Sequence, residues 1–411
     1  MNLISTEKTA AIVAEYNPFH NGHAWHIRKS RKAVPDSPVI CVMSGDFVQR
    51  GEGAMYSKYA RAKAACACGA DLVVELPLPW SLSSAESFAR GAVGMLHRLG
   101  ATHLCFGSET GDLEELEELT QILVQPDLND RVKVLLDQDG SLSYAAAREK
   151  VALELLGRDS EALRQSNNIL AVEYLKAIHE LNLDLQPVAI HRRGTRHDQD
   201  GQEGYRSASQ IRRLILSGRD PSMEFPAKAW EVFSRERESG RERSDRASIE
   251  TAMLSRLRML DEDSFLRLPD AANGLGKRLY RAVQTELDYD GILAATKTKR
   301  YAMSRIRRMC MCACLGIEEG MSRGLPPYAR ILAFNERGQE LIRQSSALGR
   351  IPMITKPAAI HSLSPSSQEI FRLGSKAHDL YVLGYRSRNE QRPGMDWRTG
   401  PAILMEETKA D

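Results

Sequence analysis

Four short apolar runs punctuate the first hundred residues, at 10–14 (AAIVA), 38–43 (PVICVM), 71–76 (DLVVEL) and 102–106 (THLCF), with helical spacing between them at 57–68 and 83–99. Each run is apolar throughout rather than alternating, which is the pattern of a strand covered on both faces. Strand and helix in regular succession predict an α/β fold built on a doubly wound parallel sheet. Residues 112–183 read as helical, opening with a solvated acidic face (Asp112, Glu114, Glu115, Glu117, Glu118). A return strand follows at 186–190 (QPVAI), then a loop at 191–205 and a helix from 207 to 216. The sheet domain is therefore expected to span 1–218. Two prolines, glycine and serine turns and dense mixed charge mark 219–248 as a mobile charged connector, and 249–411 reads as a mainly helical domain. One or two short strands are expected between 329 and 354, after a proline-rich break at 325–328.

The chain of 411 residues is 42% apolar and 27% charged, a composition that supports a sizeable core. It holds no apolar run near the roughly 18 residues that span a bilayer, and the start lacks a basic and apolar leader, so a cytoplasmic location is expected. Seven cysteines, an odd and sparse set, argue for reduced thiols. Cys310, Cys312 and Cys314 alternate and so do not share one helical face, and Cys66 and Cys68 lack redox spacing; no metal site is expected. A formal charge of +2 excludes a uniformly basic nucleic-acid binder. Residues 291–317 nevertheless hold Lys297, Lys299, Arg300, Arg305, Arg307 and Arg308 with no acidic residue, and Tyr301 lies among them. Cations and a ring suit RNA phosphate and base; a basic helix face in solvent is the plainer alternative.

The sharpest chemical signal follows the first run: Glu15, Tyr16, Asn17, Pro18, Phe19, His20, Asn21, Gly22 and His23. Asn17 and Pro18 favour a tight departure from a strand, Gly22 allows close approach, and the next helix opens with unpaired amides that attract phosphate. Two imidazoles three residues apart across a glycine can stabilise a transferring phosphoryl group, so His20 and His23 are the catalytic candidates. No cysteine or carboxylate cluster stands beside them at metal-ligand spacing. In the second loop Gly45, Arg50, Lys58 and Arg61 are candidates to close over a nucleotide or to meet RNA phosphate.

His20-Asn21-Gly22-His23 is similar to the H-x-G-H signature of adenylylating nucleotidyltransferases. Together with MSGDFVQRGEGAMYSKYARAKAA (43–65), GADLVVELP (69–77), FGSE (106–109), SNNILAVEYL (166–175), RRGTRHD (192–198), SASQIRRLI (207–215) and PYARILAFNERG (327–338), the chain resembles the bacterial tRNA(Met) cytidine acetate ligase family along nearly its whole length. The resemblance implies that ATP and acetate give acetyl-adenylate and pyrophosphate. The acetyl group then passes to N4 of the wobble cytidine of elongator tRNA(Met), with Mg2+ offsetting the triphosphate charge. It places ATP against Val13, Ala14, Glu15, Tyr16, Asn17, Pro18, Phe19, His20, Asn21, Gly22, His23, Ala24, Trp25 and His26, with Gly107, Asn167 and Arg192 or Arg193; the loop 192–198 is one residue shorter than the family pattern, which leaves the two arginines as alternatives. Ser207, Ser209 and Arg212 form an S-x-S-x-I-R element at the far side of the nucleotide. The alternative function is a nucleotidyltransferase acting on a phosphorylated small molecule; a third reading is an RNA-binding protein with a vestigial nucleotide fold.

Overall fold

The computed structural model describes residues 8–192, 205–242 and 246–405. Its strands are β1 (Ala10–Ala14), β2 (Val39–Ser44), β3 (Phe47–Val48), β4 (Glu52–Gly53), β5 (Leu72–Leu76), β6 (His103–Ser108), β7 (Gln186–His191), β8 (Ala329–Asn335), β9 (Met353–Ile354) and β10 (Ala402–Leu404). Five of them run parallel in the order β5-β2-β1-β6-β7. The chain winds outward from β1 through β2 to β5, then returns to β1's other side for β6 and β7. The switch of direction thus lies between β1 and β6, where open α/β sheets bind ligands beyond the strand C-termini. β1 pairs with β2 over five residues but with β6 only at Ala10↔His103 and Ala11↔Leu104. Past those pairs the two strands part and leave a crevice.

Alternate residues of a strand face opposite sides of its sheet. Ala11, Ile40, Val42, Leu72 and Val74 enter one core, whereas Ala10, Ile12, Val39, Cys41, Met43 and Val73 enter another. Both faces are covered, so both sets must be apolar. That is the physical origin of the continuous runs.

The sheet does not stop at residue 218. β8 lies antiparallel to β5, with β9 and β10 parallel to β8. Without β8, β5 would be an edge with bare backbone donors and acceptors in an otherwise fully covered sheet; Ala329 to Phe334 are buried there. Nor is the charged segment a loose tether. A helix, Ala227–Glu238, turns Ala229, Val232 and Phe233 inward, and Phe233 stacks on Tyr56 with centroids 4.2 Å apart. Its charges pair locally, Arg235 with Glu231 and Arg241 with Glu236, so dense charge there records a solvated helix face.

The remaining helices enclose a third core containing Phe265, Leu279, Ile292, Ile306 and Met309. Cys310, Cys312 and Cys314 are all buried within it, because the helix Met303–Leu315 is covered on more than one side. Burial lifts the Cys310 and Cys312 thiols to about 12, so they remain protonated and inert. Among the described residues no helix is long and apolar enough to cross a membrane.

Candidate active site at the β1–β6 crevice

The chain leaves β1 through Tyr16, at φ 50°, and a cis Asn17–Pro18 peptide, and enters the helix Asn21–Ala33. Three bonds fix this turn. Met55 N donates to Asn17 Oδ1 at 2.8 Å, Arg212 Nη1 donates to Asn17 O at 2.7 Å, and Arg61 Nη1 donates to Glu15 O at 2.5 Å. His20 is the N-cap of the helix. Its Nδ1 accepts from Gly22 N at 3.0 Å, while His23 Nδ1 accepts from His20 N at 3.2 Å. A ring nitrogen that accepts carries no proton, so each neutral imidazole bears its hydrogen on Nε2. The backbone thereby sets the tautomer of both rings, whose centroids lie 3.9 Å apart. Gly22 leaves room for the His20 ring, since a Cβ there would stand 2.8 Å from His20 Cε1 and the ring would have to shift.

Burial lowers His20 to about 3, assisted by Arg192 and Arg212. His23 is held well below its ordinary value by burial, His20 and Arg192, and His26 falls to about 4 through burial and Arg192. All three rings are neutral at physiological pH. His26 Nε2 is buried without a hydrogen-bond partner among the described residues.

These residues border a cavity of about 710 Å³. Of the predicted nucleotide segment, Val13, Ala14, Glu15, Tyr16, Asn17, His20, Gly22, His23, Trp25 and His26 line it. Pro18, Phe19, Asn21 and Ala24 do not: Phe19 and Ala24 are buried in the core, and Asn21 Nδ2 donates to Met223 O at 2.9 Å. The cavity also brings in Gly107, Asn167 and Arg192 from the other side of the crevice, and Ser207, Ser209 and Arg212 from the helix Ala208–Leu216 and its cap. Arg193 lies outside the described residues.

Gly107, near the end of β6, leaves room for Arg192 to cross; a Cβ would meet Arg192 Cγ at 3.2 Å. Arg192 Nη1 donates to Asn167 Oδ1, and Asn167 Nδ2 donates to Glu109 Oε1. Glu109 Oε2 also accepts from Asn168 N at 2.9 Å, so one carboxylate caps the helix Ser166–Glu180 and orients the amide that holds the arginine. The sequence reading missed Glu109 as a site residue. Its only signal was a carboxylate two residues beyond Gly107.

Two second-loop candidates are removed from any ligand. Lys58 Nζ contacts Glu75 and Asp396, both at 2.9 Å, and Arg61 spends its guanidinium on the carbonyls of Glu15, Ser44, Gly45 and Tyr56. Gly45 packs under Glu75, whose Oε1 would lie 2.6 Å from an added Cβ. Arg50 does line the cavity, together with Gln49 and Glu52. So do Met303, Ser304 and Arg307, which the mainly helical part supplies. Gly51, at φ +79°, lets the loop sit against that helix; a Cβ would come within 2.4 Å of Arg308 N.

Most of the predicted basic run is matched by partners outside it. Arg307 pairs with Glu52 at 2.5 Å, Arg308 with Asp270 at 3.2 Å and Arg305 with the same Asp270 at 3.6 Å. Lys297 Nζ donates to Thr298 O and Arg300 to Gly140 O. Lys299 is exposed. Among the described residues no group of three or more His, Cys, Asp or Glu is placed to hold a metal ion.

Comparison with known proteins finds relatives over nearly the whole chain. The HIGH Nucleotidyl Transferase family matches residues 7–396. A tRNA(Met) cytidine acetate ligase of Acetivibrio thermocellus is 34% identical, covering 97% of this chain and 100% of the relative, and one of Syntrophotalea carbinolica is 35% identical over 94% and 95%. The crystal structure of Thermotoga maritima TmcAL, apo form, superposes with a TM-score of 0.91 at 29% identity over 97% of this chain and 100% of that one. The same protein bound with alpha-thio ATP gives 0.89. The chain belongs to the tRNA(Met) cytidine acetate ligase family of the HIGH nucleotidyl transferases.

Proposed function

We propose that this chain is an ATP-dependent tRNA(Met) cytidine acetate ligase that works in the cytoplasm. The observation that carries the reading is the pair of Nε2–H imidazoles, locked by backbone amides at a helix N-terminus, on a cavity at the sheet's switch point. In the first step acetate attacks the α-phosphorus of ATP and pyrophosphate leaves. Charge grows on phosphoryl oxygens, and His20 and His23 donate to it without prior reorientation. Arg192, held by Asn167, and Arg212, held by Asn17 O, supply fixed cations. In the second step the amine of the acceptor cytidine takes the acetyl group from the adenylate and AMP leaves.

Mg2+ fits as an ion carried in on the triphosphate, because such ions keep few protein ligands; Glu15 and Glu52 are the carboxylates bordering the cavity. The ion would offset phosphate charge. Arg50, Met303, Ser304 and Arg307 border the same cavity from the second loop and the helical part. That second wall suits an acceptor as large as tRNA, with Lys297, Lys299, Arg300, Tyr301, Arg305 and Arg308 on the adjoining stretch; a transferase for a small phosphorylated molecule leaves it without a use. The test is mass analysis of tRNA nucleosides after incubation with ATP and isotopically labelled acetate. Label in N4-acetylcytidine supports the reading, and its absence from all nucleosides refutes it.

A further inference from the structure

A second concavity, of about 850 Å³, lies away from the histidines. It lies between the helix Leu275–Thr285 and the turn that precedes the helix Met303–Leu315. Lys277, Arg278, Arg281, Lys299 and Arg300 line it with Tyr301, and no carboxylate does. Three of these five cations stand outside the basic run seen in the sequence, on a helix that faces it.

The cations are of two kinds. Arg278 donates through Nε to the carbonyls of Ala295 and Thr296, and Arg300 through Nε and Nη2 to Gly140 O, so their remaining N–H groups are held in place. A fixed guanidinium fork suits phosphate oxygens. Lys277, Arg281 and Lys299 are exposed, the nearest carboxylate to any of them being Glu262, 3.8 Å from Lys277 Nζ. Tyr301 is oriented by its hydroxyl bond to Asn273 O and by Arg305 set 5.0 Å from its ring. Preset forks, exposed cations and a ring are the parts of a site for a single-stranded RNA backbone and one stacked base.

The groove also has a fixed relation to the catalytic cavity. Tyr301 lines the groove while Met303, Ser304 and Arg307 line the cavity. One turn of chain separates the two. We propose that this groove binds the phosphodiester backbone of the tRNA segment flanking the acceptor nucleotide, so that the acceptor base reaches the cavity over the start of the Met303–Leu315 helix. The proposal rests on the ligase reading for the identity of the RNA.

The experiment uses the full chain, an unmodified tRNA(Met) transcript and a Lys277→Ala/Arg281→Ala/Lys299→Ala variant. Binding is followed by fluorescence anisotropy across a salt series, alongside acetate-dependent ATP–pyrophosphate exchange. Losing three phosphate contacts should weaken binding at least tenfold and flatten the plot of log affinity against log salt by about 2. Exchange should be unchanged, since none of the three borders the cavity. Undiminished affinity with an unchanged salt slope overturns the groove, as does preference of the wild-type protein for polyglutamate over tRNA. Wild-type protein that binds tRNA with this salt dependence but performs no exchange supports the groove and refutes the ligase reading, so the two failures are separable.

Discussion

Replacing His20 by Asn separates three roles that one ring plays. As a cap, Asn is as good as any residue, and its Oδ1 can accept from Gly22 N as His20 Nδ1 does. Stability at about pH 8 should therefore change by less than ~0.5 kcal/mol. As a titrating group, His20 has a folded value of about 3 against 6.5 when unperturbed. The unfolded chain thus binds the proton first, and stability is full above 6.5 and lost as pH falls toward 3. At about pH 5 the loss is ~2 kcal/mol, from some 1.5 pH units below 6.5 at ~1.4 kcal/mol each. Urea unfolding at the two pH values should show H20N losing ~2 kcal/mol less than wild type. Taking the difference cancels groups away from His20, such as His378 beside Asp46. As a donor to developing phosphoryl charge, the ring's loss should slow acetate-dependent ATP–pyrophosphate exchange by ~10²–10³. Equal acid sensitivity of the two proteins would refute the neutral ring, and exchange within threefold of wild type would remove His20 from the chemistry.

Asn167→Ala leaves Glu109 capping its helix through backbone N–H groups but releases Arg192. The KM for ATP should rise about tenfold or more, with unfolding stability lowered by less than ~1 kcal/mol, as exchange kinetics and urea titration will report. Gly51→Ala combines φ +79° with a Cβ 2.4 Å from Arg308 N, so stability should fall by ~2 kcal/mol or more in urea. Lys58→Met takes from buried Glu75 the cation 2.9 Å away and leaves it Arg330 at 3.9 Å, whereas Asp396 keeps Arg330 at 2.7 Å; stability in urea should fall by ~2 kcal/mol, and a loss under ~1 kcal/mol would show that Arg330 serves both carboxylates.

The parallel strands were legible because burial on both faces writes itself as an unbroken apolar run. The runs at 10–14 and 102–106 thus mark β1 and β6, and with them the crevice. The turn at His20 was legible because cap, glycine and histidine are local. What escaped were pairings across long stretches of chain. Asp270 and Glu52 neutralise arginines of the 291–317 run from outside it, so a count along the sequence overstates the free charge of that run and misses Lys277, Arg278 and Arg281 opposite. Lys58 and Arg61 read as candidates to close over a nucleotide or to meet RNA phosphate, yet their partners Glu75, Asp396 and Gly45 O converge only in three dimensions. β8 shows the same limit: its residues resemble a strand, but nothing local says that it pairs antiparallel with β5, more than 250 residues earlier in the chain.

On the proposed reading, neutral histidines among fixed arginines would let one pocket both hold ATP and cut it. Had the rings been charged in the free protein, they would repel Arg192 and Arg212 and grip the ground-state triphosphate as firmly as the transition state, which lowers KM without raising kcat. Kept neutral by burial, they offer modest dipoles to the substrate, and those dipoles gain most when charge builds on the oxygens they face. The same backbone amides that cap the helix forbid the rings from rotating to the other tautomer. Protonating Nδ1 would set an N–H against an N–H. Burial thus resists protonation while the first turn of the helix Asn21–Ala33 aims Nε2–H, and Gly22 leaves room in that turn for the His20 ring.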